Sequence, residues 1–131
     1  KEGYADTSYQ STLHPSASKL ITLGAHNQTT TADCGKLLER IYRGECVSKE
    51  ASEEMLNLLL NQQNTSKIPA GTGEAVTIAN KTGETDEDQH DIAIVYGTKT
   101  TYILCVMSEN SSNAIANIKS IARVLYNYLN L

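Results

Sequence analysis

The chain has 131 residues, 40% of them hydrophobic, and a formal net charge of −4, which is the size and composition of one ordinary domain. The acidic balance leaves no basic patch and argues against nucleic acid as a partner. No apolar run is long enough for a transmembrane segment, and no signal peptide is recognisable. Because the first residue is Lys1 and not Met, we expect a processed or truncated product.

The first segment, residues 1–32, is rich in Ser and Thr, and its apolar residues follow neither a helical nor a strand period. Such a segment has little to bury by itself. We expect it to be either disordered or a long loop that packs on other parts of the chain. The second alternative is favoured by its apolar residues Tyr4, Tyr9, Leu13, Leu20, Ile21 and Leu23.

Two helices are predicted within residues 33–63. Thr30 or Thr31 is a suitable N-cap for the first, with Asp33 in its first turn, and Gly44 ends it. The second is predicted to start at Ser48 and to fade into the polar residues 61–64. The expected buried stripes are Cys34, Leu37, Leu38, Ile41 and Tyr42 in the first helix, and Ala51, Met55, Leu58 and Leu59 in the second.

Three β-branched or aromatic runs then predict a three-stranded antiparallel sheet within residues 75–107, with strands at Ala75–Lys81, Ile92–Tyr96 and Thr101–Met107. Residues 97–100 are short enough for a hairpin. The last two runs are apolar without alternation, so both faces of the sheet are expected to be covered. A C-terminal helix over residues 112–130, capped by Ser111, Ser112 or Asn113, should lie on the sheet through Ile115, Ile118, Ala122, Leu125 and Leu129.

The cysteines do not suggest a metal site. Cys34, Cys46 and Cys105 have no metal-ligand spacing, and an odd number cannot all pair within the chain. Cys105 stands in an apolar run and is predicted to be a small buried hydrophobic residue.

The sequence Lys81-Thr82-Gly83 stands at the end of the first predicted strand. An ammonium and a hydroxyl can together hold a carboxylate, and a glycine lets a ligand approach the backbone closely because it has no side chain. The alternative interpretation is an exposed strand end that begins a turn. The tripeptide alone does not decide between them.

Acidic residues and one histidine crowd the stretch that follows, which could suggest Ca²⁺ or Zn²⁺: Glu84, Asp86, Glu87, Asp88, His90 and Asp91. An EF-hand needs a Gly at loop position six and a Glu at position twelve, and both are missing. One His without a second His or Cys nearby is poor for zinc. We therefore interpret this stretch as a solvated acidic hairpin loop.

The order of these features resembles the penicillin-recognising serine hydrolases, the class A β-lactamases and DD-peptidases. Two helices precede a Lys-Thr-Gly strand, two antiparallel strands follow it, and a long helix ends the chain. Residues 3–10 resemble the entry to the loop beneath that family's active site, residues 29–38 the helix after the loop, residues 68–71 the approach to the Lys-Thr-Gly strand, and residues 90–96 the next strand. The resemblance implies an α+β fold, here as an incomplete domain.

The resemblance also implies roles for individual residues. Lys81 and Thr82, with Gly83 and Thr85 beside them, would bind the substrate carboxylate, and Lys81 would tune neighbouring groups electrostatically. The backbone N–H of Glu84 would be one arm of the oxyanion hole, which must face the oxygen on which charge develops. No cofactor is implied.

The family's nucleophile is a Ser in Ser-x-x-Lys at the start of a helix, assisted by a Ser-x-Asn loop. Ser16-Ala17-Ser18-Lys19 and Ser111-Ser112-Asn113 match these patterns, but the first lies in aperiodic sequence beside Pro15 and the second follows the Lys-Thr-Gly. We interpret both as coincidences in Ser-rich loops. The chain then resembles the C-terminal part of a catalytic domain, and it would need a complementing N-terminal portion or a second chain.

The residue that activates the deacylating water is also missing. Class A β-lactamases use a Glu on the loop beneath the site, whereas residues 9–14 contain no carboxylate. His14 is a possible base, but a lone loop His is usually a surface residue. The absence favours a peptidase-like or penicillin-binding relative.

Three functions remain open. The first is part of a bacterial, extracytoplasmic serine hydrolase that acts on β-lactams or cell-wall peptides and is connected with antibiotic resistance. The second is a β-lactamase-like domain that only binds such ligands. The third is an independent α/β interaction domain with an accidental Lys-Thr-Gly. A Ser-x-x-Lys helix and a Ser-x-Asn loop in the full reading frame would favour the first.

Overall fold

The structure, a computed structural model, describes residues 3–9 and 27–131. Its strands form one antiparallel sheet in the order β1-β2-β3. The helices α1 and α2 cover one face through a cluster around Leu38, Ala79 and Ile94, while α3 and α4 cover the other through Ile68, Ala93 and Ile118. The elements are α1 Thr31–Tyr42, α2 Lys49–Leu60, α3 Ile68–Thr72, β1 Thr77–Glu84, β2 Asp88–Tyr96, β3 Thr101–Glu109 and α4 Ala114–Asn130.

The predicted caps of the first two helices are confirmed. The Thr30 hydroxyl accepts a hydrogen bond from the Asp33 N–H at 3.1 Å, and the Ser48 hydroxyl accepts one from the Ala51 N–H at 3.0 Å. Gly44 follows α1 with a φ of 73°, a left-handed conformation that favours glycine at a helix end. By contrast, Asn113 precedes α4 without a side-chain capping bond.

The predicted buried stripes are partly wrong. Leu58 is 69% exposed, and α2 instead packs through Leu56 and Leu59. Ser52 is buried as well. Its hydroxyl can be buried because it accepts a hydrogen bond from the Cys46 N–H and donates to backbone oxygens before the helix. Periodicity counts apolar residues only and therefore misses a buried hydroxyl. The exposed members of the other two stripes are Tyr42 in α1 and Ile115 in α4.

The short helix α3 was not predicted. Residues 68–71 were interpreted as the approach to the strand, but they form most of a five-residue helix with Pro69 in its first turn. A fixed φ suits proline to that position. Gly71 is required where α3 crosses α4, since a Cβ there would collide with the Lys119 carbonyl.

The interpretation of residues 84–91 as a solvated acidic loop holds for the exposed turn residues Asp86 and Glu87 but is wrong for Asp88, His90 and Asp91. β2 begins at Asp88, so only residues 85–87 connect it to β1. Asp91 has no exposed surface. Asp88, His90 and Asp91 are strand residues paired with β3, and a hydrogen-bonded ladder fixes them more firmly than a loop would.

The described part of the N-terminal segment packs on α1. Ser8 forms a bridge with Gln28, and the carboxylate of Asp33, 3% exposed, accepts from the Asp6 N–H at 3.0 Å and the Thr7 hydroxyl at 2.8 Å. These contacts agree with the packed-loop alternative for residues 3–9. Within the described ranges, every helix is too short or too polar to cross a membrane.

The cysteines in the structure are free thiols. Cys105 packs against the Leu38 cluster, as the apolar run predicts, although its residue surface is only partly buried. Burial raises the pKa of its thiol to about 11. Because the thiolate is the reactive form, this shift lowers the reactivity of Cys105 at neutral pH.

Candidate active site

The Lys-Thr-Gly sequence lies on a free edge of the sheet, because β1 has a partner only in β2 among the described strands. The Thr85 N–H donates to the Asp88 carbonyl at 3.1 Å, and the same register pairs Gly83 with His90. In an antiparallel ladder the bonded pairs alternate, so Gly83 bonds towards β2. The N–H of Glu84 therefore points to the free side of β1.

The cation and the hydroxyl lie next to this N–H. Lys81 is exposed, and its ammonium donates to the Thr82 carbonyl oxygen at 2.6 Å. The Thr82 carbonyl, like the Glu84 N–H, points away from β2 in this ladder. The Lys81 ammonium therefore lies at the free edge of β1. The edge thus presents a positive charge, a half-buried threonine and an outward N–H within four consecutive residues.

Gly83 has no side chain, so it leaves one face of β1 uncovered at this position. Its cross-strand neighbour is His90, whose ring lies 3.6 Å from where a Cβ on Gly83 would be. The His90 Nδ1 accepts from the Ser108 N–H at 3.3 Å, which orients the ring. Both Thr85 and His90 line an open cavity of about 950 Å³ between the sheet and the segment containing Asp6, whereas residues 81–84 are not part of its lining.

Thr85 itself is engaged in the turn. Its hydroxyl donates to the Asp88 carboxylate at 3.0 Å and accepts from the N–H groups of Glu87 and Asp88. This arrangement fixes the connection between β1 and β2 directly after the candidate site. No group of three or more His, Cys, Asp or Glu side chains in the described ranges is placed to hold a metal ion.

A buried charge network supports the strand from the side opposite to Lys81. Lys67 has no exposed surface, and its ammonium lies 3.1 Å from Glu84 Oε1, 3.1 Å from the His90 carbonyl oxygen and 3.5 Å from the Gly83 carbonyl oxygen. Buried charges need partners of this kind. The sequence analysis did not single out Lys67.

Asp91 joins α3 to the sheet. Its carboxylate accepts from the Ile68 N–H at 2.9 Å and from the Asn80 side-chain amide at 3.1 Å. Burial raises the pKa of Asp91 above its ordinary value, while the bonds from Ile68 and Asn80 and the charge of Lys67 act in the opposite direction. The sequence analysis assigns Asp91 to the acidic loop and does not indicate its role as an anchor.

Replacing Asp91 by Asn is expected to lower the free energy of unfolding of the protein by about 2–4 kcal/mol. The amide has one acceptor oxygen for two buried donors, Ile68 and Asn80, and it removes the negative charge beside Lys67. Denaturant unfolding measures the loss. Asp86→Asn, in the exposed turn, is the matched control and should change stability little, and equal stability of both variants would contradict the anchoring role.

Neither the Ser-x-Asn match nor the Ser-x-x-Lys match is placed at this edge by the described residues. Ser111, Ser112 and Asn113 line a separate cavity with Asp86 and Glu87, at the start of α4 on the far face of the sheet. The segment from Ser16 to Lys19 and the residue His14 lie outside the described residues.

The fold and the edge strand define a class, the penicillin-recognising serine hydrolases. The chain belongs to the beta-lactamase enzyme family, whose model matches residues 1–129. The resemblance inferred from the sequence is therefore confirmed at the level of the family. A comparison with curated proteins gives no match.

Solved structures show the same fold. A variant of the extended-spectrum β-lactamase TLA-1 superposes with a TM-score of 0.79 at 21% identity, over 97% of this chain and 50% of that one. A β-lactamase from Chitinophaga pinensis gives 0.80 at 18% identity, over 98% and 52%. A mutant of PBP-A, solved as an acyl-enzyme complex with penicillin G, gives 0.75 at 23% identity, over 96% and 47%. The chain thus spans about half the length of these structures.

Proposed function

We propose that the chain is the carboxylate-binding part of a β-lactamase-like serine acyl hydrolase that acts on β-lactams or cell-wall peptides outside the cytoplasm. The observation that carries the proposal is the edge of β1, where the Lys81 ammonium lies beside Thr82 and the Glu84 N–H faces outward. A charge-assisted hydrogen bond from Lys81 would fix the substrate carboxylate, and Thr82 would add a neutral donor.

The chemistry is acyl transfer. A serine hydroxyl, supplied by a part of the domain that this chain does not cover, attacks the substrate carbonyl carbon, and its proton passes to a base. The carbonyl oxygen becomes negative, and the Glu84 N–H stabilises it. Gly83 leaves room for the substrate, and Thr85 fixes the turn that follows. The acyl carbon–nitrogen bond then breaks, and the nitrogen leaves with a proton.

Support for a β-lactam as ligand comes from a mutant of PBP-A, which was solved as an acyl-enzyme complex with penicillin G on the same fold. The loop sequence bears on the later step. Residues 9–14 contain no carboxylate, so we expect slow deacylation, in the manner of a penicillin-binding protein. The alternative is a purely binding domain, which a full reading frame without a Ser-x-x-Lys helix would favour.

The proposal is tested by covalent labelling of the intact protein. A reactive penicillin is expected to add its mass to one serine outside residues 1–131, and peptide mapping locates it. The 131-residue chain alone should remain unlabelled and serves as the control. No adduct on the intact protein would favour the binding domain. A stable adduct on Ser16 would show instead that the chain carries its own nucleophile.

A further inference from the structure

Lys67 is a buried cation for which the proposed chemistry has no use. Its ammonium is fully buried, and its neighbours are one carboxylate and two backbone oxygens. A lysine retained in such a place costs desolvation, which an apolar residue of similar size would avoid. Two of its three contacts belong to one short piece of β1, the residues Gly83 and Glu84.

One of these two contacts acts directly on the peptide group that carries the Glu84 N–H, and the other acts on the side chain of Glu84. The Gly83 carbonyl and the Glu84 N–H belong to the same planar unit and point in opposite directions. Lys67 lies 3.5 Å from that carbonyl oxygen and 3.1 Å from the side chain of Glu84. A cation that holds the carbonyl towards the sheet therefore also holds the N–H towards the free edge.

From this geometry we propose that Lys67 is a positioning residue for the oxyanion hole. The inference rests on the proposed function, because it gives the Glu84 N–H its role. Lys67 itself touches neither substrate nor nucleophile. It fixes the direction of the donor before the substrate arrives, which is the condition under which such a donor accelerates acyl transfer.

The end of β1 needs a support of this kind. Glu84 is the last residue of β1, which among the described strands has a ladder on one side only. A second contact with Glu84 is a hydrogen bond from Asn64, whose side-chain amide donates to Glu84 Oε1 at 2.8 Å. Lys67 is fixed in turn, since the N–H of its neighbour Ile68 donates to buried Asp91. The position of the Glu84 N–H thus depends on contacts that run from buried Asp91 through the start of α3 to Lys67.

The test is Lys67→Met in the intact protein. The saturating rate of acylation by a penicillin is expected to fall about ten- to a hundredfold, the loss that a displaced reacting group causes. The substrate concentration at half-saturation should stay within about twofold, because Lys81 and Thr82 still bind the carboxylate. Lys49→Met, an exposed lysine on α2, is the matched control and should keep the original rate.

A second variant covers the event that Lys67→Met does not fold. Lys67→Met with Glu84→Met removes both members of the ion pair, the buried lysine and the half-exposed glutamate, so that neither charge is left unpaired, and it retains the Glu84 N–H. The same fall in the saturating rate is expected. If either folded variant acylates at the original rate, or loses affinity instead of rate, the positioning role is overturned while the proposed function stands. If the unsubstituted protein is not acylated, both fail together.

Discussion

The 131 residues by themselves are expected not to form a monodisperse folded monomer. The outer side of β3 has no partner strand in the described part of the chain, and an unpaired edge offers N–H and C=O groups to other chains. The last helix adds an exposed apolar stripe. Its members, with Leu131 directly after the helix, are 40–84% exposed and continue one helical face: Ile121, Val124, Tyr128 and Leu131.

The unpaired edge of β3 and the exposed apolar stripe of α4 indicate which surfaces a further part of the domain would cover. The matched structures are about twice as long, and we propose that the other half of the domain supplies a strand for β3 and a cover for this stripe. Co-expression of that half should convert the chain from aggregates or exchanged oligomers into a soluble complex. Gel filtration and thermal melting measure the change. A sharply melting monomer of the chain alone would contradict this expectation and favour an independent interaction domain.

Replacing Lys81 by Ala in the intact protein is expected to lower acylation about ten- to a hundredfold. A charge-assisted hydrogen bond in a partly desolvated cleft contributes about 1.5–3 kcal/mol, and each 1.4 kcal/mol corresponds to about tenfold in rate. The loss should be smaller for a substrate analogue without the carboxylate, because only the effect of the lysine's charge on the nucleophile then remains. Thr82→Val should follow the same pattern more weakly, since it removes a neutral donor.

Acylation rates for a matched pair of substrates, with and without the carboxylate, measure this difference. Lys119→Ala, on the exposed side of α4, removes a lysine on the far face and is the charge-matched control. Asp86→Ala, in the turn after β1, should likewise have little effect. If Lys81→Ala leaves both rates unchanged, the Lys-Thr-Gly sequence is only a strand end.

Much of the scaffold could be predicted because it follows from neighbours in sequence. Thr30 and Ser48 are recognisable caps, and the apolar runs of β2 and β3 indicate a sheet covered on both faces. The short connection at residues 97–100 predicts antiparallel pairing, which the register confirms. These signals are local, so a single sequence contains them.

The support beneath the site could not be predicted in this way. Lys67 stands in a polar stretch before Ile68, and its acceptors come from residues 16–23 positions away. Asp91 was interpreted as part of a solvated loop, because an acidic stretch gives no sign that one member will anchor a helix. Only the tertiary fold brings such groups together.

The direction of the Glu84 N–H could be predicted only in part from the sequence. The resemblance to the family implied a donor there, but a slip of one residue in strand register would turn the N–H towards β2. The sequence does not fix that register. The three-residue connection and the bond from Thr85 to Asp88 do so in the structure.

The crystal structure of the intact protein after reaction with a penicillin tests the central claim most directly. The account predicts an acyl adduct whose carboxylate lies within about 3.2 Å of the Lys81 ammonium and the Thr82 hydroxyl. Its acyl oxygen should lie within about 3.1 Å of the Glu84 nitrogen. An adduct whose carboxylate and acyl oxygen both lie away from the edge of β1 would contradict the assignment of this strand as the substrate site.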